Sequence, residues 1–275
     1  MGTRPAGRNF FQRILLELIL PLTLLVAVSL VFRFFDLDLR VEGYFFVPEA
    51  GWIYQDRDPW DSLYHYGILP VILTGLGALL VYVASFRWAQ LRGYRSVALF
   101  LVLLGIIGPI GVVNLVFKEH WGRPRPCEVV QFGGEKRYLH VWQKGVSGQG
   151  RSFPCGHCSA GFFFIGLLFV MRPRSRRWAA IALAFALGYG ALMGIARMVQ
   201  GGHFPTDVLW SAGFMYLCSL GLYYLLGLHR DLGGCVQPAS RTAVTAANTS
   251  ENGPDTGRAS AYPPGQWEPR AHRGE

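Results

Sequence analysis

Uninterrupted apolar stretches of membrane-spanning length constrain this chain more than any other feature. A helix crossing the hydrocarbon core needs about 20 mostly apolar residues, and in lipid only helices and closed barrels satisfy their own backbone groups. About six stretches approach that length: Ile14–Phe34, Ile68–Phe86, Ala98–Phe117, Ser159–Met171, Trp178–Ile195 and Val208–Leu228. The fourth is short unless it begins near His157. The expected fold class is all-α, a polytopic membrane protein with about six transmembrane helices in a bundle. A charged fraction of 16% beside 51% hydrophobic residues agrees, since soluble domains carry about a quarter charged residues.

The first stretch is too long for a secretory signal, and no small-residue cleavage site follows it, so it reads as a retained span. Glu17 near its start reads as an interfacial residue in preference to an acid within the membrane. Arginines set the orientation. Arg4, Arg8 and Arg13 precede the first span; Arg87, Arg92 and Arg95 separate the second and third; Arg172, Arg174, Arg176 and Arg177 separate the fourth and fifth; His229 and Arg230 follow the sixth. With alternating spans these segments share one side, the cytoplasmic one, which also holds both termini. The expected location is a bacterial inner membrane. Residues 1–230 form the membrane domain, and residues 231–275, rich in Gly, Pro, Ser, Thr, Ala and Asn, read as a disordered cytoplasmic tail.

Three loops fall on the opposite, periplasmic side. Residues 35–67 combine acids with aromatic residues, which suits an interfacial belt at least as well as a substrate contact. Residues 196–207 form the third. The second, residues 118–157, carries Lys118, Arg123, Arg125, Lys136, Arg137, Lys144 and Arg151 against the positive-inside trend, and anion binding accounts for that breach. The formal net charge is +9, but the basic residues lie between apolar blocks, which excludes nucleic acid as a partner. Of the five cysteines, Cys155 and Cys158 have C-x-x-C spacing. Without a second such pair they read as two unlinked thiols, while Cys127 and Cys155 flank one loop and are able to pair in an oxidising compartment.

Three polar clusters sit where apolar blocks meet these loops: Lys118–Pro126, Ser152–Gly161 and Ala196–Asp207. Lys118, Arg123, Arg125 and Arg197 offer fixed positive charge, the arginines with bidentate geometry for phosphate. Cys155, Gly156 and His157 open a helix whose N-terminus favours an anion. His157 and His203 titrate near neutral pH, and Asp207 stands one helical turn from His203, placed to orient its ring. Separately, each group has a structural reading: an interfacial arginine, a structural histidine, a helix-capping Asp207. Gathered on one face they form a set for phosphoryl transfer without metal or other cofactor. His203 is then the nucleophile, His157 the acid that protonates the leaving oxygen and later activates water, and the cations the stabilisers of the equatorial oxygens.

These clusters resemble the signature of the type 2 phosphatidic acid phosphatase superfamily, K-x6-R-P, P-S-G-H and S-R-x5-H-x3-D. Here six residues separate Lys118 from Arg125-Pro126, Pro154-Cys155-Gly156-His157 stands at the second motif, and Ala196-Arg197 leads to His203 and Asp207 at the third. The resemblance implies a six-helix membrane fold and metal-independent dephosphorylation of a lipid, with Lys118, Arg125 and Arg197 holding phosphate. Cys155 and Ala196 replace family serines. Cys155 is expected to stay a protonated thiol with a weaker hydrogen bond than serine gives. The stretch "HWGRPRP" and Gln131–Gly134 are similar to bacterial lipid A phosphatases of this superfamily, whose relatives also handle undecaprenyl pyrophosphate and phosphatidylglycerophosphate. Transfer of the phosphoryl group to a second lipid, and an anionic-lipid binding protein weakened in catalysis, are the alternative functions.

Overall fold

The computed structural model describes residues 6–230, with side chains from residue 11 onward; the tail expected at 231–275 lies outside the described residues. Among the described residues the regular structure is helical apart from one two-stranded hairpin and an isolated bridge between Val129 and Lys136. Helix α1 spans Ala6–Phe34, followed by the short α2, Leu37–Gly43. Strands β1, Phe46–Val47, and β2, Gly51–Trp52, pair antiparallel. The short α3, Trp60–Tyr66, leads into α4, Leu69–Arg87. Helix α5, Arg95–Gly105, continues as a π-wound segment over Ile106–Lys118 and ends in α6, Glu119–Trp121. Helices α7, Gly156–Phe162, and α8, Gly166–Met171, are joined by one 3₁₀ turn. The last two, α9 and α10, are Arg176–Val199 and Pro205–Leu225.

Among the described residues, five helical segments are long and apolar enough to cross a membrane: Phe11–Phe34, Trp60–Arg87, Ala89–Glu128, Arg176–Val199 and Pro205–Leu225. The shorter apolar segment Gly156–Met171 supplies the sixth element, and it begins beside His157 as the sequence requires. The chain is thus an all-α polytopic membrane protein. Its surface fits that solvent: Leu16, Leu20, Leu24, Leu73 and Leu80 are exposed while Ser29, Ser85, Ser211 and Ser219 are buried, the reverse of a water-soluble bundle. Each of those serines donates to a backbone carbonyl in its own helix, the usual way such a hydroxyl is satisfied away from water.

Helices α7 and α9 pack closely. A Cβ on Gly161 would stand 3.0 Å from the Gly190 backbone, and one on Gly190 would lie 2.1 Å from the Phe162 ring. Small residues bring the helix that opens at His157 against the helix that carries Arg197. Glu17 is part-buried and accepts from Arg13, Arg172 and the Tyr224 hydroxyl. It ties α1 to the Arg172 turn and to α10.

At the opposite end, the three loops of the proposed outer side come together. Val129, Phe132, Tyr138 and Phe204 pack with Leu39, Phe46 and Trp52. The rings of Phe46, Trp52 and Phe132 lie 5.4–5.5 Å apart, centroid to centroid. Part of the aromatic content of residues 35–67 therefore forms a small core against the second and third loops and not a lipid-facing belt. Tyr44 and Tyr66 remain exposed.

Candidate active site

Each of the three polar clusters closes a helix end. Lys118 finishes the π-wound segment. His157 lies in the first turn of α7, which Cys155 caps from an extended backbone conformation. His203 precedes Pro205, whose fixed φ starts α10, and Asp207 accepts from the Phe204 backbone N–H at 2.9 Å. Gly156 lies close to two polar side chains: a Cβ there would stand 2.9 Å from the Asn114 amide oxygen and 3.4 Å from Lys118 Nζ, and both would have to move to admit it.

The structure brings Lys118, Arg125, Arg197, His157 and His203 to one place. Lys118 and His157 stand at the polar end of an otherwise apolar cavity of about 500 Å³, which runs between α4 and α5 past Leu76, Leu101, Ile106 and Ile110. Arg125 and Arg197 line a polar pocket of about 300 Å³ with Asp61, Tyr64, Cys127 and Gln200. Tyr64 joins the two spaces. Its ring stacks on His157 at 5.1 Å, and the Arg197 guanidinium carbon sits 4.5 Å from its other contact, the ring centroid, within cation–π range. Arg197 is buried and bonds Gln200 through Nη1, while its Nε has no partner among the described residues. An unsatisfied donor of this kind is what an arriving phosphate oxygen would engage.

His203 is 1% exposed. Burial, and then the positive charges of Arg197, Lys118 and Arg125, hold its imidazole well below the ordinary range, against the opposing pull of the Ser152 carbonyl. Its Nδ1 lies 2.5 Å from that carbonyl oxygen. The neutral ring donates there from Nδ1 and keeps its lone pair on Nε2.

Three expectations are corrected. Arg123 is fully buried and gives all five N–H donors to protein: Nε to Leu139 O, Nη1 to Thr206 Oγ1 and Asp207 Oδ1, Nη2 to Asp38 Oδ2 and the Tyr138 hydroxyl. No donor is left for a phosphate. Asp207 does not bond the His203 ring, whose Nδ1 is 3.9 Å away. Its Oδ2 accepts instead from the Ser152 hydroxyl at 2.6 Å, so it fixes the loop whose carbonyl orients the imidazole. Cys155 is not a thiol. It is disulfide-bonded to Cys158, because a C-x-x-C pair across the first helical turn brings the Cα atoms to 5.3 Å. Cys127 remains free and exposed, unpaired with Cys155, and the Cys155 backbone N–H donates to Ser211 Oγ.

The sequence motifs leave out Tyr64, Ser152 in its hydrogen-bonding role, Asp38, Tyr138 and Gln200. Asp38 and Tyr64 come from the acidic and aromatic 35–67 segment, and their types were the available signal. Residues 97–231 match the family model described as the PAP2 superfamily. A lipid A 4'-phosphatase of Francisella tularensis subsp. novicida is 32% identical over 196 residues, covering 70% of this chain and 86% of that protein. Lipid A 4'-phosphatases of Rhizobium leguminosarum and Rhizobium etli are 37% and 35% identical over 119 residues, about half of each. No solved structure matches. With the motif spacing intact over this helical frame and a relative aligned along most of its length, the chain belongs to the PAP2 superfamily, as a membrane lipid phosphatase.

Proposed function

We propose that the enzyme removes a phosphate from a sugar-borne phosphomonoester on a membrane lipid of the lipid A type, through a phosphohistidine on His203 and without metal. The observation that carries this reading is the meeting of three fixed cations and two imidazoles: Lys118 and His157 line the apolar cavity, Arg125 and Arg197 line the polar pocket, and the charges of all three cations reach buried His203. An amphiphile with a phosphorylated polar head and hydrocarbon chains has that distribution of chemistry, and the named activity of the similar proteins narrows the head to a phosphorylated glycolipid.

In the first step, Nε2 of His203 attacks phosphorus while the bond to the leaving lipid oxygen breaks. Protonated His157 gives that oxygen its proton, and the lipid leaves as an alcohol. In the second, neutral His157 takes a proton from water as the oxygen attacks the phosphohistidine, the P–N bond breaks, and phosphate departs with His203 restored. Lys118, Arg125 and Arg197 stabilise the charge on the equatorial oxygens throughout. Tyr64 holds the His157 ring between these groups by stacking. Residues 1–230 are the catalytic membrane domain. The loops bearing the site face the periplasm of a bacterial inner membrane, with both termini in the cytoplasm, as the arginine distribution favours.

Purified full-length protein in detergent should release phosphate from a lipid A-type substrate in the presence of a chelator. His203→Ala should lower kcat by a factor on the order of 10³ or more, and rapid quenching should trap an acid-labile phosphoprotein only in the unsubstituted enzyme. Undiminished turnover by His203→Ala would rule out this mechanism.

A further inference from the structure

Asp38 lies on α2, outside residues 97–231 that match the family model, yet it is 2% exposed and reaches the centre of the catalytic loops. Its carboxylate accepts four hydrogen bonds. The Thr206 backbone N–H donates to Oδ1 at 3.0 Å. Oδ2 accepts from the Thr206 hydroxyl at 2.6 Å, Arg123 Nη2 at 2.7 Å and the Tyr138 hydroxyl at 3.1 Å. On its other side Arg123 bonds Asp207 at 2.5 Å, and Asp207 holds Ser152, whose carbonyl receives the His203 Nδ1–H.

The charges along this chain are minus, plus, minus. Were Asp38 absent, the Arg123 guanidinium would be matched by Asp207 alone and the buried group would be neutral overall. With Asp38 in place it is net negative, and its near edge, Asp207 Oδ2, stands 3.9 Å from the ring that becomes positively charged when Nε2 bonds phosphorus. Glu42 is buried beside them with both oxygens unpartnered among the described residues. Burial first, then the Asp38 and Asp207 carboxylates, push it well above the usual carboxylate range. At this depth one unit of charge a few ångströms from the reacting ring is weakly screened.

We propose that Asp38 is a positioning residue for the reaction: it offsets the charge of Arg123, so that the buried Asp38–Arg123–Asp207 group presents a net negative charge to the developing imidazolium of His203 while Asp207 holds Ser152. This rests on the phosphohistidine reading above. Asp38→Asn keeps the shape of the side chain and removes its charge. In full-length enzyme in detergent it should lower kcat by about 30-fold, the equivalent of about 2 kcal/mol, with KM within about twofold, and it should slow formation of the trapped phosphoprotein by the same factor. The double variant Asp38→Asn with Arg123→Gln restores the net charge of the group, with Asp207 still held by its hydrogen bonds from the Ser152 hydroxyl and the Phe204 N–H. It should regain most of the lost kcat, to within about fivefold of the unsubstituted enzyme, and it serves as the test if the single variant does not fold. A merely structural Asp38 would make the double variant worse than the single. That outcome, or an Asp38→Asn enzyme with unchanged kcat, would overturn the proposal. If His203→Ala stays active, the phosphohistidine reading itself fails; if His203→Ala is inactive while Asp38→Asn is fully active, only the role of Asp38 fails.

Discussion

Arg123 and Arg125 are two residues apart in one motif and have opposite fates. Arg123 is sealed between two carboxylates, whereas Arg125 lines the polar pocket. Arginine presents five donors in a rigid fork, so a buried arginine whose donors all end on protein acts as a structural tie. The same logic of partners governs His203, and it has a pH signature. Its folded-state pKa is depressed by burial and by Arg197, Lys118 and Arg125. Unfolded histidine titrates near 6.5. Below that pH the unfolded chain binds a proton that the native site refuses, so stability is full above about 6.5 and is lost progressively as pH falls toward the folded value. Two results follow for enzyme in detergent. The acid limb of kcat/KM that reports the free nucleophile should lie below pH 6.5. The drop in unfolding temperature between pH 7.5 and 5 should be smaller in His203→Gln than in the unsubstituted protein. An acid limb at the ordinary imidazole value would contradict the buried, cation-flanked setting.

Among the elements, α9 shows how small residues set the site. Gly190 faces α7, where an added Cβ would strike the Phe162 ring at 2.1 Å, while Gly188, two residues earlier, has open space around it. Gly190→Leu should force α7 from α9, separate His157 from Arg197, and reduce kcat/KM by about tenfold or more with loss of thermal stability. Gly188→Leu, on the same helix, should leave both nearly unchanged. Equal effects from the two substitutions would show that the close approach does not hold the site. The π-wound end of the third span is the element least visible beforehand. Its apolar residues were read over Ala98–Phe117, but continuous helical winding carries the segment through Lys118 and on to Trp121. Within it, the Asn114 side-chain amide donates back to the Pro109 carbonyl at 2.7 Å.

For the molecule as a whole, orientation across the bilayer is the property most open to a direct test. Cys127 is free and exposed beside Arg125, whereas Cys155 and Cys158 are buried and bonded to each other. In intact spheroplasts a membrane-impermeant maleimide should label Cys127, and Cys127→Ser should abolish that labelling. Labelling of Cys127 only after lysis would place the site in the cytoplasm. The sequence by itself determined the helical class, the approximate spans and the motif residues. Hydrocarbon solvent forces backbone self-satisfaction over a fixed length, and phosphate chemistry restricts which side chains serve. Tertiary structure decided which charges meet. It placed Arg123 with Asp38, 85 residues away, routed Asp207 to His203 through Ser152, and set Tyr64 between His157 and Arg197. Spacing along a chain fixes neighbours within one helical turn, but contacts between distant segments depend on how whole helices pack, and buried hydrogen-bond donors and acceptors are assigned only once every competing partner is in place.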